Sequence, residues 1–216
     1  RLADRSGYAD SSMGTHSAGR RDILMSIDYY QQHAQRFFDE TVTVDMSALH
    51  DRFLACLEPE ALILDAGCGS GRDALAFLRR GYLVDAFDAA SEMAARARAL
   101  TGLPVKTLRF DEFSAPARYG GIWCCASLLH VAEAELPETF TRLAQALKPG
   151  GVWYLSFKRG SGEREQSGRR FTDLTEARLR ELIEELDGVT LQDIWLSEDK
   201  RPGRHEVWVN GLVRRK

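Results

Sequence analysis

The sequence predicts an α/β fold with a doubly wound sheet of seven strands, mostly parallel and with one antiparallel strand at the C-terminal end. Three observations lead to this class. Short apolar runs alternate with helical stretches after Pro59, as in parallel sheets with crossover helices. The glycine-rich sequence GCGSG directly follows the first of these runs. Two strand-like segments close the chain around the short charged turn SEDKRPGR, which predicts an antiparallel pair.

The chain begins with a segment that shows neither helical nor alternating periodicity. Residues 1–24 are rich in Ser, Gly, Arg and Asp, which predicts a mobile leader with Met25 as a candidate natural start. Residues 25–216 are predicted to form a single domain. From Ile27 onward, apolar residues recur at helical spacing and predict two amphipathic N-terminal helices, one around Tyr30–Phe38 and one around Met46–Leu57.

The central segment supplies the parallel strands. The predicted strands are Leu62–Asp65, Tyr82–Asp88, Val105–Phe110, Gly121–Cys125 and Val152–Phe157. Helices connect the first strand to the second, the second to the third, and the fourth to the fifth. A further helix begins after Thr175 and ends at Gly188, before the strands Thr190–Leu196 and Glu206–Val213. The stretch RGSGEREQSGRR, residues 159–170, is expected to be a long polar loop with a functional role.

Composition narrows the classes of protein that fit. The chain has 216 residues with 29 Lys and Arg against 32 Asp and Glu, for a net charge of −3, and 44% of its residues are hydrophobic. These values are typical of a soluble globular protein, and no apolar run approaches the roughly 20 residues of a membrane-spanning helix. We therefore expect a soluble, cytoplasmic protein without a membrane partner. The charge provides no general field for nucleic acid, so such a role would need a local patch.

The glycine loop predicts a nucleotide-like ligand. Gly67, Gly69 and Gly71 lie between a strand and a helix, where the backbone can approach a ligand closely. Their G-x-G-x-G spacing differs from the dinucleotide fingerprint, and no GK[ST] ending marks a P-loop. Asp88 follows about 20 residues later at the end of the second strand, placed to accept hydrogen bonds from ribose hydroxyls. Together these features favour an adenosine ligand without a pyrophosphate.

Four elements in order carry a resemblance to a known family. LDAGCGSG, Asp88, ASLLH and LKPGG resemble the class I S-adenosylmethionine-dependent methyltransferases, from Tyr29 to the end of the chain. The resemblance implies a Rossmann-like fold, S-adenosylmethionine as cofactor and methyltransferase activity. Within that superfamily, GRDALAFLRRGYLVDAFD looks like the small-molecule group that includes tellurite and thiopurine methyltransferases.

The resemblance also implies a set of cofactor-binding residues. Asp65, Gly67, Cys68 and Gly69 are expected at the methionine part, Asp88 at the ribose and Met93 against the adenine. After the third strand, the resemblance places an adenine acceptor and an apolar wall among Asp111, Glu112 and Phe113, without deciding between them. The alternative role for Asp65 and Asp88 is to cap helices or to pair with arginines, and the alternative role for Met93 is to pack in the core.

His130 is the candidate catalytic residue. It follows the fourth strand at the carboxyl edge of the sheet, where open parallel sheets bind ligands. A neutral imidazole there is either a general base or a group that bonds the backbone and shapes the pocket floor. No carboxylate cluster can be assembled for metal-dependent methylation, so no metal is predicted. Cys124 and Cys125 lie within a buried strand and are expected to be structural.

The acceptor site has the least motif content. We expect the N-terminal helices to roof it with Tyr29 and Tyr30, and the loop after the fifth strand to contribute Arg159 and Arg169. Those arginines predict either a solvated loop or a site for an anionic group of the acceptor.

Three functions remain open at this point. The sequence favours methyl transfer to a small soluble acceptor by in-line displacement, since no added recognition domain is evident. A tRNA or protein methyltransferase would instead use the arginine-rich loop, the RPGR turn and the C-terminal RRK as a phosphate-contacting surface. A non-catalytic cofactor-binding module would have a pocket closed at His130. The identity of the acceptor and the oligomeric state are not readable from the sequence.

Overall fold

The computed structural model describes residues 24–216. Apart from Leu24, which is already helical, the leader predicted for residues 1–24 lies outside the described residues. The helices are α1 (residues 24–32), α2 (Ala34–Thr41), α3 (Ser47–Leu54), α4 (Arg72–Arg79), α5 (Ser91–Thr101), α6 (Leu136–Ala146) and α7 (Glu176–Glu184). The strands are β1 (Leu62–Ala66), β2 (Leu83–Asp88), β3 (Lys106–Thr107), β4 (Tyr119–Cys124), β5 (Leu147–Lys158), β6 (Gly162–Gln166), β7 (Arg169–Asp173), β8 (Val189–Glu198) and β9 (Val207–Arg215).

One seven-stranded sheet organises the described chain. Its strand order is β3-β2-β1-β4-β5-β9-β8, and β9 runs antiparallel to both of its neighbours while the pairs from β3 to β5 are parallel. The predicted fold class is therefore confirmed. Because β2 and β4 flank β1 on opposite sides, the strand order reverses there and leaves a crevice at the carboxyl ends of β1 and β4.

Helices cover both faces of the sheet because the central strands are apolar on both faces. On β5, Val152 and Tyr154 pack with the apolar residues of α3 and α4, whereas Trp153, Leu155 and Phe157 pack with those of α6 and α7. This alternation follows from the two-residue period of a strand. The three layers hold the glycine loop and the ends of β2 and β4 in fixed positions.

Two predicted elements have different bounds in the structure. The helix predicted around Tyr30–Phe38 is interrupted at His33, which separates α1 from α2. The third strand is only Lys106–Thr107, and a 3-10 turn follows at Phe110–Glu112.

The stretch 159–170, which was predicted to be a long polar loop, is instead largely a hairpin of β6 and β7. Its turn residues Ser167 and Gly168 have positive φ, as in the tight turns that suit hairpins. Because β6 carries no apolar residue, its sequence gives no alternating pattern that would predict a strand.

None of the helices within residues 24–216 combines the length and the apolar composition needed to cross a membrane.

Candidate active site

The glycine loop after β1 packs tightly against the segment that follows β4. Gly67 has φ +75°, and a Cβ added to it would lie 2.4 Å from the Cβ of Ser127. The backbone N–H groups of Gly67 and Cys68 both donate to the carbonyl of Phe87, at 2.9 Å. Gly69 also has positive φ, and the nearest atom to its added Cβ would belong to the ring of Phe37, at 3.5 Å. Glycine is thus required at position 67 by both conformation and space.

Asp88 connects the end of β2 to the glycine loop. Its Oδ2 accepts a hydrogen bond from the Gly69 N–H at 2.8 Å, and its Oδ1 accepts one from the Ala90 N–H at 2.9 Å. Burial raises the pKa of this carboxyl group above its ordinary value, although the two N–H donors oppose the shift. Each carboxylate oxygen has two lone pairs, so Asp88 can accept further hydrogen bonds from a ligand.

A cavity of about 840 Å³ opens in front of Asp88, and we call it the Asp88 cavity. Its apolar lining includes Phe87 on β2, Met93 on α5, and Leu108 and Phe110 after β3. Asp111 also lines it, in an ion pair with Arg109 at 2.8 Å. The size and the mostly apolar wall with a few polar groups are typical of a small-molecule site.

A second cavity, of about 680 Å³, also borders the glycine loop, and we call it the Arg169 cavity. Helices α1 to α3, the β6–β7 hairpin and the β8–β9 segment all contribute to its lining. Its wall mixes aromatic rings with charged groups. The sequence predictions that fall here are Tyr29, Tyr30, Gly67, Cys68, Gly69, His130 and Arg169.

The two cavities share a wall at the carboxyl edge of the sheet. Both are lined by Tyr30, Phe37, Gly67, Gly69, Ala126 and His130. The wall is therefore built from the loops after β1 and β4 together with α1 and α2. A ligand in one cavity would meet a ligand in the other at this point.

His130 and Tyr30 form a hydrogen-bonded pair in the shared wall. His130 Nδ1 lies 2.8 Å from the carbonyl oxygen of Arg170, and since a carbonyl can only accept, Nδ1 carries the proton. His130 Nε2 then accepts from the Tyr30 hydroxyl at 2.9 Å. Burial lowers the pKa of His130 to about 4, and the positive charges of Arg169 and Lys158 add to the shift. The imidazole is therefore neutral at physiological pH.

A buried polar cluster fixes the start of α4 beside the glycine loop. Asp73 accepts hydrogen bonds from His50 and from the indole of Trp123, both at 2.9 Å, and pairs with Arg72. Burial by itself raises the pKa of Asp73, but the charge of Arg72 and the bond from His50 outweigh it and hold the pKa well below its usual range. Since all partners are satisfied, this cluster stabilises the wall of the Arg169 cavity.

Four residues predicted for the site line neither cavity. Asp65 is buried and accepts from the Ala74 N–H at 3.1 Å, so it caps α4. Glu112 accepts from the Arg109 N–H at 3.0 Å and thereby closes the 3-10 turn. Phe113 stacks on Phe87 in the core, with ring centroids 5.3 Å apart. Arg159 is exposed and pairs with Glu176 at 3.1 Å.

Other lining residues were missed by the sequence reasoning. Phe110, which was assigned to the third strand, lines the Asp88 cavity, whereas Phe113, one of the three candidates after that strand, does not. Phe37 had been seen only as part of a helix face, yet it lies in the shared wall. Trp195 and Trp208 reach the Arg169 cavity from β8 and β9, and no local sequence signal distinguishes them from core residues.

The residues on which a metal site or a phosphate-contacting surface would depend have the following surroundings in the described part of the chain. No group of three or more His, Cys, Asp or Glu in residues 24–216 is arranged to hold a metal ion. Of the arginines on which a phosphate-contacting surface would depend, Arg201 pairs with Asp199, and Arg204 lies 3.9 Å from Glu206. Arg214 and Arg215 donate to backbone carbonyls.

Comparisons with known proteins agree with this architecture. Residues 63–151 match the family model described as a methyltransferase domain. No curated protein sequence matches the chain.

Among solved structures, the 1,6-didemethyltoxoflavin-N1-methyltransferase of Burkholderia thailandensis, with bound 1,6-didemethyltoxoflavin and S-adenosylhomocysteine, is similar with a TM-score of 0.72 and 24% identity, over 99% of this chain and 93% of that chain.

Two further structures share the fold at lower identity. The magnesium protoporphyrin IX methyltransferase of Synechocystis PCC 6803, with bound SAH, gives a TM-score of 0.61 at 18% identity over 98% of this chain and 90% of that chain. A SAM-dependent methyltransferase of Methanosarcina mazei gives 0.65 at 18% identity over 78% and 96%. Residues 63–151 therefore match a methyltransferase domain, and the chain shares the fold of S-adenosylmethionine-dependent methyltransferases.

Proposed function

We propose that the chain transfers a methyl group from S-adenosylmethionine, held in the Asp88 cavity, to a small acceptor held in the Arg169 cavity. The observation that carries the proposal is the shared wall, where two cavities of ligand size meet at Tyr30 and His130. In-line displacement needs the acceptor and the sulfur on opposite sides of the methyl group, and two cavities that meet at one wall suit that requirement. A non-catalytic module would instead need a closed pocket at His130.

The residues of the Asp88 cavity fit the cofactor. Asp88 keeps free lone pairs for ribose hydroxyls, and Gly67 leaves the loop without a side chain where Ser127 closes in. Met93 and Phe110 provide apolar surface for an adenine ring. S-adenosylmethionine supplies an electrophilic methyl group on a sulfonium when bound. The protein's own task is to align the acceptor with that group and to keep water out.

His130 is proposed as a positioning residue that acts through Tyr30. With a pKa of about 4, the imidazole stores a proton poorly at neutral pH, which favours the pocket-shaping alternative over the general base. By accepting the Tyr30 O–H, His130 leaves the hydroxyl oxygen as an acceptor; Arg169 Nη1 lies 3.5 Å from it, and its second lone pair can accept from a donor on the methyl acceptor. Tyr30 touches both cavities and is thus the residue proposed to contact the reacting groups.

The first test is binding and transfer. Calorimetric titration should give micromolar affinity for S-adenosylmethionine and S-adenosylhomocysteine and no binding of NAD. Incubation of the protein and methyl-labelled cofactor with a cell extract should then place the label in the low-molecular-weight fraction. Label in tRNA or protein would refute the small acceptor, and cofactor binding without any transfer would favour the non-catalytic module.

The role of His130 has its own test. His130→Gln keeps an acceptor for the Tyr30 hydroxyl, whereas His130→Leu removes it. A positioning role predicts that turnover is largely kept in His130→Gln and falls in both His130→Leu and Tyr30→Phe, with cofactor affinity little changed. Equal loss of turnover in His130→Gln and His130→Leu would instead identify the imidazole as the proton acceptor. The resemblance to the tellurite and thiopurine group stays a prediction until the acceptor is known.

A further inference from the structure

The Arg169 cavity carries an excess of positive charge. Eight Lys and Arg residues line it against five Asp and Glu residues. Six of the eight lie within ion-pair distance of a carboxylate, namely Arg36, Arg52, Arg72, Lys158, Arg201 and Arg204. Of the other two, Lys200 is exposed at the surface. Arg169 is therefore, within the described part of the chain, the one recessed cation of this cavity without a carboxylate partner.

Aromatic rings hold the Arg169 guanidinium in place. Its Cζ lies 4.3 Å from the ring centroid of Tyr29, 5.1 Å from that of Phe171 and 5.8 Å from that of Tyr30. Nη1 lies 3.5 Å from the Tyr30 hydroxyl oxygen, and the covered Nε has no hydrogen-bond partner among residues 24–216. The cation is thus held by ring contacts without a carboxylate partner among the described residues, and Nη2 together with the second N–H of Nη1 remains to donate to a ligand.

We propose that Arg169 binds a carboxylate of the methyl acceptor and that this acceptor is an aromatic acid. The inference rests on the proposed function and names the substrate class of the same site. A guanidinium can donate two parallel hydrogen bonds to the two oxygens of a carboxylate that lies in the same plane. These charge-assisted hydrogen bonds are strong in a recessed, ring-lined site. The aromatic part of the acceptor follows from the rings that line the same cavity, Phe37, Tyr154, Phe171, Trp195 and Trp208.

Two features of the site support a specific anion contact over a diffuse attraction. Lys158 lies 4.5 Å from the Phe171 centroid but is neutralised by Glu206, 3.4 Å away, so the uncompensated charge is concentrated at Arg169. Arg169 also contacts Tyr30, which lies in the shared wall. A carboxylate at Arg169 would therefore fix the acceptor next to the position proposed for methyl transfer.

The test compares two probes of nearly the same shape, one with a carboxylate and one with a neutral amide at the same position. Benzoate and benzamide are titrated at pH 7.5 into the protein saturated with S-adenosylhomocysteine. We expect benzoate to bind at least about tenfold more tightly than benzamide, as a charge-assisted hydrogen bond predicts. Arg169→Gln should abolish this preference, and Arg169→Lys should retain part of it. Arg180→Gln is the matched control, because Arg180 is exposed on α7 and lines neither cavity.

The proposal is overturned by any of three results: equal affinity for benzoate and benzamide, no binding of benzoate, or a preference for benzoate that survives in Arg169→Gln. A preference lost to the same extent in Lys200→Gln overturns it as well, because a diffuse field would then be the cause. S-adenosylhomocysteine binding is measured first on every variant and should stay within about twofold of the wild type, which shows that the variant is folded. Failure of the wild type to bind S-adenosylhomocysteine contradicts the proposed function itself, and is thus distinguishable.

Discussion

Replacement of Asp88 by alanine provides a quantitative test of the cofactor site. Two ribose hydroxyls that donate to this carboxylate would contribute about 1.5 kcal/mol each, since one partner is charged. Their loss amounts to about 3 kcal/mol, which corresponds to roughly a hundredfold weaker binding of S-adenosylmethionine. Asp88→Asn keeps one acceptor oxygen and should lose about tenfold.

The same substitution has a calculable cost for stability. The N–H groups of Gly69 and Ala90 donate to Asp88 at 2.8 and 2.9 Å, and both lose their acceptor in the alanine variant. We expect a decrease of about 2 kcal/mol in the free energy of unfolding, so folding has to be verified before binding is interpreted. Calorimetric titration with S-adenosylmethionine and urea denaturation of the free protein separate the two effects.

Asp85 provides the matched control on the same strand. Its carboxylate accepts from Arg118 at 3.1 and 3.0 Å and from the Tyr119 hydroxyl at 3.0 Å, and it lines neither cavity. Asp85→Ala should therefore leave cofactor affinity unchanged. If a folded Asp88→Ala variant binds S-adenosylmethionine within about twofold of the wild type, Asp88 does not contact the ribose and the proposed orientation of the cofactor is wrong.

Three further predictions follow from local geometry. Gly67→Ala should lower the free energy of unfolding by about 3 kcal/mol or more in urea denaturation, because the new Cβ meets Ser127, whereas Gly69→Ala should cost about 1 kcal/mol. Burial lowers the pKa of His130 from 6.5 to about 4, so the unfolded chain binds this proton first and stability is lost as pH falls from 6.5 to 4, by up to about 3 kcal/mol. In His130→Gln, this part of the pH dependence should disappear. In thiol labelling of the native protein, Cys56 should react first, because burial raises the pKa of the thiols of Cys68, Cys124 and Cys125. Faster labelling of any of these three cysteines would contradict the packing.

The sequence by itself determined the frame of the molecule. The apolar runs of β1 and β2, the glycine loop and Asp88 follow one another within about 25 residues, and local rules connect each of them to a strand, a turn or a cap. Because parallel strands end at the same edge of a sheet, the approximate location of the site followed from this order alone. The antiparallel pairing of the last two strands was equally local, since a short turn permits no other arrangement.

The tertiary structure decided which side chains reach the cavities. The sequence could not distinguish Phe110 from Phe113, because a 3-10 turn rather than a continued strand sets which ring faces the Asp88 cavity. Nor could it separate Asp65 from Asp88, since both follow a strand and only packing makes Asp65 a buried cap of α4. The same uncertainty covered Arg159 and Arg169, which lie ten residues apart in one polar stretch.

The Arg169 cavity depended on tertiary structure most of all. Tyr29, Arg169 and Trp195 come from a helix, a hairpin and a late strand that are distant along the chain. Each has an ordinary local sequence, and their meeting is set by how the elements pack across the end of the sheet. Local periodicity therefore reveals where strands and helices form, whereas the chemistry of the Arg169 cavity arises from contacts between segments that are distant along the chain, such as Tyr29 and Arg169, which no local pattern encodes.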